Sequence, residues 1–225
     1  MTFSLLLRDP ATGEFGAAIS SSSPAVAARC VHLADGVGGA NSQNVTDPRL
    51  GAQLVERLRS GSSATEALDA VVSGADQATI GYRQLLVLDA AGRAAVHSGT
   101  QALGIYGSAV RENAVCGGNM LACPDVLEAM IEAALTTAGR IEERLYAALR
   151  AALTAGGEEG PVHSAGLSVV GDAGWRVTDL RVDWSEDPIG ELGRVLDVWL
   201  PQRDDYISRG TNPGVAPSYG VPGDE

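Results

Sequence analysis

Apolar positions change period several times along this chain. Residues 3–7 and 15–20 are short apolar runs, separated by Arg8-Asp9-Pro10-Ala11-Thr12-Gly13, which is dense in turn-forming residues. Together they predict a β-hairpin that begins at about residue 2. Serines at 20–23 lead to Pro24, and a third apolar run spans 37–40. The period then lengthens. Asp47-Pro48 supplies a cap and a first-turn proline, Leu50, Leu54, Val55 and Leu58 share one face, and Gly61 ends that helix. Ser63 and Glu66 form a capping box for a second helix carrying Ala67, Leu68, Val71 and Val72. Short strands return at 84–88 and 94–98, on either side of the turn Asp89-Ala90-Ala91-Gly92. One further helix opens at Pro124 and carries Val126, Leu127, Met130, Ile131 and Leu135. The next carries Ile141, Leu145, Leu149 and Leu153, with Glu142 and Glu143 well placed in its first turn. A third hairpin pairs 165–170 with 177–182, and a last helix opens at Asp187-Pro188 and carries Ile189, Leu192, Val195, Leu196 and Trp199.

The order is therefore ββ, αα, ββ, αα, ββ, α. Hairpins imply antiparallel sheet and exclude a doubly wound parallel fold. The helices must cover sheet faces, and stacked antiparallel sheets between helix layers are one solution. From Pro201 the pattern changes: Pro201, Pro213, Pro217 and Pro222 fall in a stretch with no period. This predicts one domain over residues 1–200 and a Pro/Gly-rich tail over 201–225, loose or laid over a partner subunit.

Charge narrows the function. The chain has 225 residues, with 16 basic and 28 acidic side chains and a net charge of −12. That disfavours nucleic acid and anionic membranes as partners. Every basic residue is an arginine, which excludes lysine Schiff bases, a P-loop lysine and lysine as base or nucleophile. Cys30, Cys116 and Cys123 lack zinc-type spacing and read as small buried hydrophobes in a reducing compartment. No basic leader or ~20-residue apolar stretch is visible, so a cytoplasmic protein is expected. No metal or nucleotide motif appears, and no cofactor is expected.

Thr2 is the sharpest chemical feature. Excision of Met1 would leave a terminal threonine at the start of an apolar strand, joining a nucleophilic hydroxyl to an α-amine base of reference pKa ~7.7–8.0. Threonine is also ordinary at position 2. His32, His97 and His163 are candidate acids or bases, but His97-Ser98 and His163-Ser164 are strand neighbours that face opposite ways and cannot form dyads. Cys116-Gly117-Gly118-Asn119-Met120, ahead of the Pro124 helix, reads as an anion cradle or an ordinary helix entry, with Asn119 a potential oxyanion donor. The doublets Glu158-Glu159 and Asp204-Asp205 read as solvated surface.

Several segments add up. Met1-Thr2-Phe3-Ser4 with Arg8-Asp9-Pro10 and Gly13-Glu14, Ser23-Pro24-Ala25-Val26, Asp47-Pro48 with Gly51, Leu86-Val87-Leu88-Asp89 with Gly92, Gly118-Asn119-Met120-Leu121, Ser164-Ala165, and Leu180-Arg181-Val182-Asp183 with Asp187-Pro188 and Glu191-Leu192 recur in this order. From residue 1 to about 199 the chain resembles the bacterial domain of unknown function 1028 family, which in turn resembles the N-terminal nucleophile (Ntn) hydrolases. The resemblance implies an α+β fold, a four-layer αββα sandwich of two antiparallel sheets. It implies Thr2 as nucleophile and Asn119 as oxyanion or substrate-positioning residue. Ser21, and Gln43 in the loop before the Asp47 helix, match polar positions near the terminus. Asp183 matches the Arg-Val-Asp segment as a substrate-binding candidate, where a structural ion pair with Arg181 or another arginine is an equal reading. The chain departs from the family at Ser22 and along Glu159-Gly160-Pro161-Val162-His163, where relatives carry basic residues, so a neutral substrate is implied or His163 substitutes. The expectation is a hydrolase of carbon–nitrogen bonds acting on a small linear or cyclic amide, in a homodimer or higher homo-oligomer. The alternative is a non-catalytic ligand-binding or scaffold protein on the same fold.

Overall fold

In the computed structural model, which describes residues 2–222, the first hairpin pairs β1 (Thr2–Arg8) with β2 (Phe15–Ser21) antiparallel, Phe3 opposite Ser20. A one-turn helix α1 (Val26–Cys30) runs directly into β3 (Val31–Ala34) and β4 (Gly38–Asn44). Helices α2 (Pro48–Arg59) and α3 (Ala64–Gly74) follow, and both open on the caps expected of them. Asp47 accepts the Arg49 N–H, and Ser63 and Glu66 exchange side-chain and backbone hydrogen bonds. Next come β5 (Arg83–Asp89), β6 (Ala94–Ser98), β7 (Gly107–Arg111) and β8 (Ala114–Asn119). Helices α4 (Asp125–Thr136) and α5 (Ile141–Thr154), strands β9 (Ser164–Val170) and β10 (Arg176–Val182), and helices α6 (Pro188–Trp199) and α7 (Arg203–Thr211) complete the chain.

The strands form two antiparallel sheets, one ordered β10-β9-β2-β1-β8-β7 and the other β3-β4-β5-β6. Three cores separate four layers. One lies between the six-stranded sheet and α4, α5 and α6, one between the four-stranded sheet and α2 and α3, and one between the sheets. The architecture is αββα. β1 shows why both its faces are apolar. Phe3, Leu5 and Leu7 point into the helix-side core, while Leu6 points into the core between the sheets. Fully burying each of these side chains contributes roughly 1.5–3 kcal/mol.

Three expectations are corrected. Cys116, Gly117 and Gly118 lie within β8, so they are not a cradle loop; a Cβ on Gly117 would come within 2.8 Å of Leu86 Cδ2 on the facing sheet. Glycine is there to let the sheets approach. Gln43 lies inside β4 rather than in a loop. The stretch from Pro201 begins as structure: α7 is anchored by Arg203, 6% exposed, whose guanidinium meets Glu142 at 2.6 Å, Asp204 at 3.1 Å and also Glu14. Asp204 also pairs with Arg140 at 2.6 Å, which ties the start of α7 to the domain, while the side chains of both Asp204 and Asp205 stay at the surface, as expected of that doublet. No described helix is long and apolar enough to cross a membrane.

Candidate active site

The register of the six-stranded sheet builds a polar row at one end of the intersheet space. Thr2 is directly opposite Asn119 on β8, and the β1–β2 hairpin sets it beside Ser21. All three side chains are buried, with Thr2 4% exposed. Thr2 Oγ1 donates to Ser21 Oγ at 3.5 Å, a long contact. Ser21 Oγ lies 2.8 Å from Ser23 Oγ and accepts the Ser23 N–H at 3.1 Å. Arg29 Nη2 donates to Ser23 Oγ at 2.8 Å, so a guanidinium ends this chain of hydroxyls.

The facing sheet contributes two glutamines. Gln84 Nε2 is turned toward the carbonyls of Gly107 (3.2 Å) and Gly118 (3.1 Å) and toward Ser98 Oγ (3.1 Å). Carbonyls can only accept, so Gln84 Oε1 must face the other way. It accepts from Gln43 Nε2 at 2.8 Å and Asn119 Nδ2 at 3.2 Å. Gln43 Nε2 also donates to Gly117 O at 3.1 Å, and its Oε1 accepts from Ser4 Oγ at 2.5 Å. Asn119 therefore spends one amide proton on Gln84, while its buried Oδ1 has no partner among the described residues.

Glu158 completes the group from outside the sheet. It is 4% exposed, which corrects the solvated reading, and both its carboxylate oxygens accept the Ser22 N–H, at 3.1 and 3.2 Å. Burial pushes this carboxyl up to about 7; the positive charge of the amino terminus, the Ser22 hydrogen bonds and His163 pull the other way. His163 is joined to the same strand end, its N–H donating to Ser21 O at 2.8 Å. Its ring stacks on the exposed Trp184, centroids 4.4 Å apart, with Nδ1 3.2 Å from Ser185 O.

The structure thus brings together Thr2, Ser21, Asn119, Gln43 and, at the rim, His163. It does not bring Asp183 to them. That carboxylate is exposed and pairs with Arg181 at 3.2 Å, and its carbonyl accepts the Ala25 N–H. His32 is a packing residue: a Cβ on Gly51 would collide with its ring, and burial holds its pKa below the usual histidine value. A cleft of about 680 Å³ opens at the opposite end of β1, beside Asp9, Glu14, Arg140 and Asp204. Six further β1 residues, Phe3–Arg8, separate that end from Thr2, ~20 Å at strand rise.

Sequence reasoning missed Gln84 and Glu158. Gln84 had a signal: alternation along β5 places it on the face of Leu86 and Leu88, a polar position on an apolar face. Glu158, in an aperiodic turn after Gly156-Gly157, had none.

Comparison with known proteins places this geometry. The sequence profile described as "Family of unknown function (DUF1028)" matches residues 2–192. No curated protein matches the chain. The crystal structure of protein SPO2555 from Silicibacter pomeroyi, ascribed to DUF1028, aligns with TM-score 0.85 at 32% identity, covering 92% of this chain and 90% of that one. Eukaryotic HslV from Trypanosoma brucei aligns at TM-score 0.47 and 12% identity, over 76% of this chain and 99% of its own. Anbu from Yersinia bercovieri aligns at 0.39 and 11%, over 89% and 97%. The chain's own two sheets and flanking helices make the four layers.

Proposed function

The chain belongs to the DUF1028 family, whose function is unknown, and from the site's own chemistry we propose that it hydrolyses a carbon–nitrogen bond of a small amide with Thr2 as nucleophile. The observation that carries this reading is the placement of the Thr2 hydroxyl. It lies at the head of a central strand, within the Ser21, Asn119 and Glu158 cluster, on the residue whose α-amine becomes the nearest base once residue 1 is removed.

The amine takes the Oγ1 proton as Oγ1 attacks the substrate carbonyl carbon. The second Nδ2 proton of Asn119, or a backbone N–H, receives the developing oxyanion. The ammonium returns its proton to the leaving nitrogen, the carbon–nitrogen bond breaks, and an ester to Thr2 remains. Water, deprotonated by the same amine, hydrolyses the ester and restores the hydroxyl. Ser21 and Gln43 hold the site's polar atoms in register, and the His163–Trp184 stack forms the rim against which substrate packs.

Thr2→Ala tests this. Activity on a responsive amide falls at least ~10³-fold at an unchanged thermal midpoint, because the covalent route is removed rather than weakened. Native turnover in the alanine variant refutes the mechanism. Intact mass of the purified protein reports whether residue 1 is absent, and a blocking tag ahead of Thr2 abolishes activity until cleaved. A second reading, a ligand-binding protein without turnover, is favoured by one observation: the 680 Å³ cleft lies at the far end of β1 from Thr2. Ligand binding that survives Thr2→Ala and is lost on filling that cleft separates the two.

A further inference from the structure

β1 stops at Thr2, but the chain on either side of it runs on: beyond β2 lies Ser22, and beyond β8 lie Met120 and Leu121. Residues 157–159 fill the lane ahead of β1. Ala122 N donates to Gly157 O and Glu159 N to Met120 O, each at 3.0 Å, and Leu121 bridges antiparallel to Glu158. A Cβ on Gly157 would lie 3.6 Å from Phe3 Cε1, so this segment sits at the head of β1 itself. On the other flank the Glu158 carboxylate reaches Ser22 N–H. Adjacent strands lie ~4.8 Å apart, so a residue whose backbone pairs with one flank and whose side chain reaches the other stands across the head of Thr2.

That carboxylate is poorly served for its burial. Among the described residues its oxygens share a single N–H and no arginine or histidine forms an ion pair with it, and the charge of the amino terminus is the strongest of the influences that draw it down. A buried carboxylate normally collects several donors or a cation. We propose that Glu158 is the positioning residue of the Thr2 α-amine, accepting one amine N–H so that the nitrogen lone pair faces the Thr2 hydroxyl, and stabilising the ammonium formed in attack. The inference rests on the Thr2 nucleophile reading. In the step concerned the O–H bond of Thr2 breaks, an N–H bond forms, the electron pair stays on Oγ1 for attack, and Glu158 remains ionised throughout. Its role parallels that of the acid which orients a catalytic base.

Each charge perturbs the other. An adjacent carboxylate raises an amine's pKa by favouring the ammonium, and the ammonium draws the carboxyl down from its raised value. The other ionisable groups around Glu158 are its chain neighbour Glu159, His163 with Glu186 beyond it at 3.8 Å, and Arg29 at the end of the serine chain.

The absence of lysine makes the test clean, since the α-amine is then the sole aliphatic amine in the protein. The probe is a water-soluble acetyl ester, applied to protein cleaved from a fusion so that Thr2 is first, with acetylation followed by intact mass across pH 5–9. The titration midpoint falls by about one pH unit in Glu158→Gln and stays near the wild-type value in Glu158→Asp, which keeps the charge. On a responsive amide, kcat/KM in Glu158→Gln falls ~10²-fold and the acid limb of its pH profile moves down with the amine. An unchanged amine midpoint in a folded Glu158→Gln overturns the proposal, as does a midpoint that falls equally in Glu158→Asp. Wild-type protein that hydrolyses no amide refutes the nucleophile reading instead, and the acetylation midpoint still decides whether Glu158 holds the amine.

Discussion

Replacing Gln84 by methionine keeps the volume and removes four hydrogen bonds at once. Gln84 has two amide protons for the Gly107 and Gly118 carbonyls and Ser98, and its oxygen accepts from Gln43 and Asn119. All of this lies in fully buried surroundings between the sheets. At a net ~1 kcal/mol for each of four bonds, with some excess for donors left without partners, the cost is about 4–6 kcal/mol. For a domain of this size that lowers the thermal midpoint by roughly 10–20 °C, at 2–4 °C per kcal/mol. Urea unfolding of wild type, Gln84→Met, Asn119→Leu and the double variant gives the coupling directly. The double variant should cost clearly less than the sum of the singles, since removing both partners orphans neither. The same substitution frees Asn119 to turn, so activity falls further than stability accounts for. A Gln84→Met cost below ~1 kcal/mol, or simple additivity with Asn119→Leu, refutes the shared network.

Other outcomes follow from the same structure. Arg203→Met leaves Glu142, 0% exposed, without its cation and destabilises by ~3–5 kcal/mol, whereas adding Glu142→Gln recovers much of the loss; a thermal midpoint unmoved by Arg203→Met overturns the anchoring of α7. The Glu158 carboxyl, raised from 4.5 to about 7 by burial, binds protons more readily folded than unfolded, so its contribution to stability is fully present below pH 4.5 and is lost as pH rises toward 7. Urea titrations of protein whose Thr2 amine is blocked, so that no Thr2 ammonium pairs with the carboxylate, should find Glu158→Gln more stable than the unsubstituted chain at pH 8 and nearly equal at pH 4.5; equal stability at both pH values refutes this. Burial pushes the Cys116 thiol up to about 12 and Cys30 also upward, so a thiol reagent at pH 8 modifies Cys123 first, and rapid native modification of Cys116 counts against this core. Neutral amides should be turned over better than matched carboxylate-bearing ones, and Ser22→Arg should shift the ratio toward the acid by up to ~1 kcal/mol; a wild-type preference for the acid refutes it.

Local physics was written in the sequence. Turn residues between short apolar runs specified the hairpins 2–21, 83–98 and 164–182, and Asp47, Ser63 and Asp187 specified where three helices open. Each depends only on residues a few positions apart. The expected exchange of hairpins and helix pairs was therefore recoverable, and Thr2 stood out because its position at the head of a strand is a property of the chain alone. Elements whose stability comes from contacts were not recoverable. β7 and β8 are rich in small or polar residues and form because β1 and the facing Leu86 accept them, while α7 is held by a guanidinium whose carboxylate partners Glu14 and Glu142 are distant in sequence. The site divides the same way. Asn119 and Ser21 carried a chain-order signal, but only the stacking of two sheets turned Gln84 toward Asn119, and only a turn 156 residues from Thr2 (position 158) set Glu158 at the head of β1. Periodicity reports which face of an element is buried; it holds no information on which two buried polar groups meet, because that depends on the packing of layers far apart in the chain.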